Sequence, residues 1–155
     1  MVRLQSTFHK LWRFINIGPK RQLLLIEAVI SLAVARAALM FVPFPRLARR
    51  MGRFVPPADA KATTVILPEH VSAAREVRWA VFHATHHVPF KAVCLPRAMA
   101  ARVMLNRRSV PSVLHFGATK GTEKPLNAHA WLDAAGVEVT GYPLGQEFIE
   151  VACFI

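Results

Sequence analysis

The segment from Lys91 to Arg108 constrains the fold more than any other part of this chain. Its apolar residues recur three and four positions apart, which predicts an amphipathic helix. Pro96 is tolerated only in the first turn of a helix, where its missing N–H costs nothing, so we expect the helix to begin at about Cys94. A thiol in that turn lies at the positive end of the helix dipole, which favours the thiolate. The segment therefore predicts a helix that opens with a reactive cysteine.

A second segment, Asn127 to Asp133, complements the first. It alternates as a strand does and carries His129 in its middle. A helix-opening cysteine followed downstream by a strand histidine is how papain-like and transglutaminase-like enzymes assemble a nucleophile and its base. Cys94 and His129 are therefore the candidate catalytic pair. A packed structural cysteine and a histidine satisfied within the core are the alternative interpretation.

The composition indicates an acidic or apolar partner. The chain is 54% hydrophobic and carries a net charge of +11, from 20 Lys and Arg against 9 Asp and Glu. Such a high apolar content suggests a buried partner surface or membrane contact, and the basic excess favours anionic lipid, an acidic peptide or nucleic acid. Nucleic acid is disfavoured because basic and aromatic residues do not interleave. Two cysteines make no disulfide framework, so we expect a reducing cytoplasm, and no signal peptide is predicted.

The first third of the chain is expected to be helical. Residues 7–17 and 20–42 each have helical periodicity, and the second segment is long enough to span a bilayer. Glu27 and Arg36 interrupt it, and each would be costly at membrane depth. A buried or partner-facing helix is therefore preferred, with residues 23–42 in a membrane as the alternative.

A basic segment and a linker follow. Residues 46–54 form a short amphipathic stretch that is either a solvated face or a patch for an acidic peptide or lipid headgroups. Residues 55–64 are rich in Pro, Ala and Thr and are predicted to be a linker. We expect an N-terminal helical extension over residues 1–54 and one compact catalytic unit over residues 55–155.

The second unit is expected to be α+β. A helix is predicted over 68–87, and strands are predicted over 112–119, 127–133, 137–141 and 148–154. His83 and His87 are four apart and could share a helix face, but no third ligand is near in sequence. We therefore expect no metal and no cofactor. Cys153 lies in the last apolar strand and is expected to be an inert packed thiol.

Three runs of residues resemble the leader peptidases of lasso-peptide biosynthesis, the transglutaminase-like part of the lasso B protein. The runs are Cys94-Leu95-Pro96-Arg97-Ala98, then Arg107-Arg108-Ser109-Val110-Pro111, then Leu126-Asn127-Ala128-His129-Ala130-Trp131-Leu132-Asp133. The end of the long N-terminal helix, Pro43-Phe44-Pro45-Arg46-Leu47-Ala48, is similar to the start of that family. Cys-Leu-x-Arg followed by Ala-His-Ala-Trp is fairly specific when both occur in order.

The resemblance implies a cytoplasmic cysteine protease with a transglutaminase-like fold. Such enzymes remove the leader from a ribosomally made precursor peptide, and a separate ATP-using, asparagine-synthetase-like cyclase then closes the macrolactam. In that family a small recognition domain binds the leader. No such domain precedes the first helices here, so we expect a separate recognition protein as partner. A non-catalytic peptide-binding protein of the same fold, a membrane-associated helical protein and an acyl transferase that uses an amine instead of water are the alternatives.

The third catalytic residue departs from the family pattern. The family has an Asp about twelve residues after the histidine, and Gly141 occupies that position here. If the turn is centred on residues 134–135, Glu138 lies diagonally across from His129 and within reach of it. Glu138 is therefore the predicted third member, with Asn127 or a dyad lacking a third member as alternatives. Arg97, one turn from the cysteine, is expected either to anchor an acidic substrate or to form a structural salt bridge.

Overall fold

The computed structural model describes residues 18–57, 66–119, 127–144 and 148–155. The predicted helix over residues 7–17 lies outside the described residues, and so does most of the predicted linker.

Helices and strands follow one another largely as the periodicity predicts. The helices are α1 (Pro19–Phe41), α2 (Phe44–Arg50), α3 (Pro68–Ala84) and α4 (Cys94–Asn106). The strands are β1 (Phe54–Val55), β2 (Val113–Thr119), β3 (Asn127–Ala134), β4 (Val137–Thr140) and β5 (Ile149–Phe154). They form one antiparallel sheet in the order β1-β5-β2-β3-β4. The α+β class is confirmed.

The basic segment 46–54 differs from its prediction. Its helix ends at Arg50, and Phe54 and Val55 form β1, which pairs with the C-terminal strand β5. The prediction that residue 55 opens a linker is therefore wrong. The physical reason is tertiary: a two-residue strand has no periodicity to detect, and it exists because β5 offers it an unpaired edge.

The core lies between the sheet and the helices. α4 packs against β3, α3 packs against β4, and α1 packs against both of these helices. Leu114 and Leu132 of the sheet, Met104 and Leu105 of α4, and Leu32 of α1 are fully buried in this cluster. Three buried alanines let α4 approach its neighbours closely: Ala98, Ala100 and Ala101. Truncating one of the buried leucines to alanine is expected to cost about 2–5 kcal/mol.

Helix α1 is joined to α4 by charge as well as by apolar packing. Glu27 accepts hydrogen bonds from Arg108 at 2.6 Å and from Arg107 at 3.2 Å. These contacts explain the acidic residue that interrupts the apolar helix.

Helix α1 is long and apolar enough to cross a membrane, but the core helix of a soluble protein can be equally long and apolar. The division into an extension over residues 1–54 and a core over residues 55–155 stays a prediction, although α1 shares its core with α3 and α4.

Candidate active site

Cys94 is the first residue of α4, as predicted. Val93 before it is extended, and Pro96 lies fully buried in the first turn. The backbone N–H groups of a first turn have no partner within the helix, so they are available to an anion at this end. Cys94 is partly exposed and forms no disulfide. A thiol in this position meets the partial positive charge of the helix and remains accessible to a substrate.

Cys94 and His129 line the same cleft, which has a volume of about 700 Å³. The cleft is closed on one side by residues 90–93 before α4 and on the other by residues 141–143 after β4. Although distant in sequence, the thiol and the imidazole therefore share one solvent-accessible space. They form no hydrogen bond with each other in the described part of the chain. Such bonds are often long in a free enzyme and shorten when substrate binds.

The ring of His129 is held by the backbone of Gly141. Nε2 of His129 lies 2.7 Å from the carbonyl oxygen of Gly141. A carbonyl oxygen can only accept a hydrogen bond, so Nε2 must be the nitrogen that carries the proton. In the neutral ring the other nitrogen, Nδ1, then holds a free lone pair. The contact thus selects the tautomer in which Nδ1 can act as a base.

Residue 141 must be a glycine in this structure. Its φ is +90°, a backbone conformation that residues with a side chain rarely adopt. A Cβ there would lie 2.6 Å from Cβ of Trp131 and 2.7 Å from the carbonyl oxygen of Ala130. An aspartate therefore does not fit this position. The chain replaces a carboxylate side chain by a backbone carbonyl that reaches the same imidazole.

The register assumed for Glu138 is wrong. β4 pairs with β3 through Leu132↔Thr140 and Asp133↔Glu138, and the register shifts between these pairs. Glu138 therefore lies opposite Asp133, which is four residues along β3 from His129 and so about 13 Å away. The difference comes from the turn, which Ala135 and Gly136 form at positive φ one residue later than assumed; the register shift lies beyond Glu138.

Two aromatic rings flank the histidine. His129 stacks on Phe148 with centroids 5.1 Å apart and on Trp131 with centroids 6.1 Å apart. Gly117 makes room for this arrangement, since a Cβ there would lie 2.7 Å from the Trp131 ring. The rings restrict the orientation of the imidazole. Sequence reasoning missed Phe148, which precedes β5 and shows no local sign of facing β3.

The cleft carries positive charge. Lys91 and Arg97 line it, and no carboxylate is among the described lining residues. Both cations are exposed, and among the described residues Arg97 makes no ion pair. Two roles were expected for Arg97, a substrate anchor and a structural salt bridge. The described residues include no partner for the salt bridge. An extended peptide with acidic groups matches this surface.

The arrangement has the parts that covalent acyl chemistry needs. Cys94 offers a thiol at a helix N-terminus, His129 offers an imidazole with a fixed tautomer, and free N–H groups could stabilise an oxyanion. The exposed His83 and His87 form no comparable group. His83 bonds the carbonyl oxygen of Trp79, and His87 lies beyond the end of α3.

Comparison with known proteins agrees with this geometry. A family described as the transglutaminase-like superfamily matches residues 38–152. No curated protein and no solved structure matches the chain significantly. The match includes α4, the cleft and the strand that carries the histidine, and it covers most of the chain. The chain therefore belongs to the transglutaminase-like superfamily, which includes cysteine peptidases.

Proposed function

We propose that this protein is a cysteine peptidase that removes the leader from a ribosomally made lasso-peptide precursor. One observation carries the catalytic part: Cys94 at the start of α4 and His129 line one cleft, with the tautomer of His129 set by Gly141. The substrate part rests on the motif pair that resembles the lasso leader peptidases. The positive charge of Lys91 and Arg97 at the cleft is consistent with a peptide substrate that carries acidic residues.

The reaction begins with proton transfer from the thiol of Cys94 to Nδ1 of His129. The thiolate attacks the carbonyl carbon at the leader junction and forms a tetrahedral oxyanion. Backbone N–H groups of the first turn of α4, including that of Cys94, stabilise this oxyanion. His129 then donates its Nδ1 proton to the leaving amine, which becomes the N-terminus of the core peptide.

Water completes the cycle. His129 removes a proton from a water molecule, the hydroxide attacks the thioester, and the leader leaves as a carboxylic acid while Cys94 is regenerated. Throughout, the Gly141 carbonyl keeps its bond to Nε2–H, and this bond becomes stronger when the ring is cationic. The backbone dipole thus supplies part of what a carboxylate would supply at the same place.

The partners follow from the same resemblance. A separate leader-recognition protein presents the precursor, and an ATP-using, asparagine-synthetase-like cyclase uses the freed amine. The proposal is tested by incubating the chain with precursor peptide and the leader-binding partner and analysing the products by mass spectrometry. The wild-type chain is expected to yield free leader and free core, whereas Cys94→Ala and His129→Ala each yield neither.

A matched control uses a histidine outside the cleft. His87 is exposed beyond the end of α3, and His87→Ala is expected to cleave at the wild-type rate. Cleavage by either Cys94→Ala or His129→Ala at the wild-type rate contradicts the peptidase proposal. An intact precursor with every variant, wild type included, supports the rival of a non-catalytic peptide-binding protein. A leader joined to an added amine identifies the acyl transferase.

We further propose that the protein works in the cytoplasm and touches the membrane surface through α1. Apolar residues at helical spacing form an exposed stripe along α1: Leu23, Ile26, Ile30 and Val34, each at least 47% exposed. Phe41 and Phe44 extend it, and the exposed Arg46 and Arg49 lie beside them. Apolar residues next to cations match an anionic lipid surface.

Fractionation in high salt tests this contact. A surface contact with basic residues is expected to be released by salt, because salt screens the charges. Retention of the chain in the membrane fraction at high salt identifies an inserted α1, and a chain that is in the soluble fraction at low salt contradicts membrane contact altogether.

A further inference from the structure

A second cluster of polar side chains lies on the same face of the sheet as His129, and Trp131 stacks on a histidine of each site. Nδ1 of His115 on β2 contacts Oε1 of Glu150 on β5, and Sγ of Cys153 lies 2.7 Å from the same oxygen and 3.5 Å from Nδ1. One nitrogen, one sulfur and one oxygen donor thus lie within 4.8 Å of one another. Cys153 is fully buried in an apolar cluster with Val55 and Val113, so its expected packing is confirmed, but its thiol also has polar partners.

A bulge brings these residues to one face. In a regular strand, residues three apart point to opposite faces, so Glu150 and Cys153 would be separated by the sheet. The register of β5 on β2 runs His115↔Cys153, Phe116↔Ala152 and then Gly117↔Glu150, which leaves Val151 unpaired. The extra residue turns Glu150 back to the side of His115. Bulges that re-aim a side chain in this way are typical of functional sites.

The other nitrogen of His115 faces a carboxylate. Nε2 lies 3.4 Å from Oδ2 of Asp133, and the hydroxyl of Tyr142 donates a hydrogen bond of 2.7 Å to Oδ1 of the same carboxylate. A histidine that binds metal through one nitrogen commonly presents the other to a carboxylate, which fixes the ring. His115 also stacks on Trp131 with the planes 2° apart. The ring is therefore oriented before any ligand arrives.

We propose that His115, Glu150 and Cys153 bind a single Zn²⁺ ion through Nδ1, a carboxylate oxygen and the thiolate. These are the three donor types that Zn²⁺ takes in proteins. In a tetrahedral site with ordinary bond lengths, donor atoms stand roughly 3.3–3.6 Å apart. The distance of 3.5 Å between Sγ and Nδ1 meets this requirement. Oε1 of the partly exposed Glu150 lies closer than this to both other donors, so its side chain must rotate away from them when the ion binds.

Charge and protons balance in this site. Without metal, burial and the hydrogen bond to Glu150 raise the pKa of Cys153 to about 12, so the thiol keeps its proton. Zn²⁺ replaces that proton and the Nδ1 proton of His115, and both leave to solvent. One thiolate and one carboxylate then neutralise the two positive charges of the ion. The fourth coordination position is left for water on the side of Glu150, whose side chain is 23% exposed.

The ion would connect the C-terminal strand to the centre of the sheet. It would join β5 to β2 beneath Trp131, the same ring that stacks on His129. The role of the ion would therefore be structural. It would stabilise the position of Trp131, on which His129 stacks, and it would lie outside the cleft.

Cobalt substitution tests the site in the full chain. After removal of metal with a chelator, Co²⁺ is expected to bind one ion per chain and to give a thiolate-to-cobalt charge-transfer band. The band should persist in Cys94→Ser and disappear in Cys153→Ser. Zn²⁺ should displace Co²⁺ and raise the thermal midpoint of the wild-type chain.

Two further variants separate a loss of metal binding from a loss of the fold. Glu150→Gln keeps the size of the side chain and is expected to lower Zn²⁺ affinity at least about tenfold, while Asp133→Asn lowers it about 10–100-fold through the orientation of His115. His87→Gln is the matched control and should bind as the wild type does. No cobalt band in the wild-type chain, a band that depends on Cys94, or unchanged affinity in Glu150→Gln overturns the proposal.

Discussion

The imidazole of His129 donates its Nε2 proton to the backbone carbonyl oxygen of Gly141 at 2.7 Å. A backbone carbonyl thus contacts the imidazole from the sequence position at which the resemblance to the lasso leader peptidases led us to expect an aspartate. The carbonyl selects the tautomer as a carboxylate would, but it brings no full negative charge. In the proposed reaction, the imidazolium of His129 would therefore be stabilised by a dipole and by two flanking aromatic rings rather than by an ion pair.

Gly141→Ala is expected to damage both the fold and the site. The positive φ and the collision with Trp131 together should lower the free energy of unfolding by about 2–4 kcal/mol. Because the carbonyl must move, kcat for precursor cleavage should fall at least about tenfold, while KM stays within about threefold. Urea unfolding and steady-state kinetics with mass-spectrometric detection measure these effects.

Gly136 supplies the matched control for that variant. It also has a positive φ, +75°, but the nearest atom to a Cβ there is 3.5 Å away. Gly136→Ala should therefore cost about 1–2 kcal/mol from backbone strain alone and leave kcat unchanged. Equal kcat values for the two variants would show that the position of the Gly141 carbonyl does not matter to catalysis.

Glu138→Ala separates the sequence-based hypothesis from the structure. The turn at Ala135 and Gly136 places Glu138 opposite Asp133 and far from His129, so we expect turnover within about twofold of the wild type. A carboxylate that orients the catalytic histidine would instead cost orders of magnitude on removal. Single-turnover cleavage of the precursor by Glu138→Ala decides between the two, and a large loss with an intact fold would restore Glu138 to the site.

The pairing of Glu27 with Arg108 predicts a specific pH dependence of stability. The hydrogen bond from Arg108 lowers the pKa of Glu27 below its ordinary value of 4.5, despite the opposing effect of partial burial. A lowered pKa in the folded state contributes stability above pH 4.5, and that contribution is lost as the pH falls through the folded-state value. Glu27→Gln should therefore lower the free energy of unfolding by about 1–2 kcal/mol at neutral pH and by much less in acid.

The control for this prediction is an exposed ion pair. Glu76 accepts a hydrogen bond from Lys20 at 2.6 Å, and the lysine side chain is 75% exposed. Glu76→Gln is expected to change the stability by less than about 0.5 kcal/mol at any pH, because solvent screens the pair. Denaturant unfolding of both variants over a pH series provides the comparison. Parallel curves for Glu27→Gln and wild type down to strongly acidic pH would contradict the prediction.

The local sequence pattern was enough to predict most helices and strands of this protein and its candidate catalytic pair. Helical spacing after Cys94, the position of Pro96 and the alternation around His129 are properties of short segments, so they could be read without the fold. These residues also carried the resemblance to the superfamily. The strand boundaries followed for the same reason, except for β1, which is too short to have a period.

Tertiary structure decided the partners of those residues. Two bulges, one in β4 and one in β5, shift the register of their strands, and a shift of one residue sends every following side chain to the other face. The bulge in β5 brings Glu150 and Cys153 to His115, whereas Glu138 lies away from His129 because the turn before β4 comes one residue later than we expected from the sequence. The contact between the Gly141 carbonyl and His129 could not be predicted from the sequence either. Every residue has a carbonyl, and only the path of the chain determines which one reaches the imidazole.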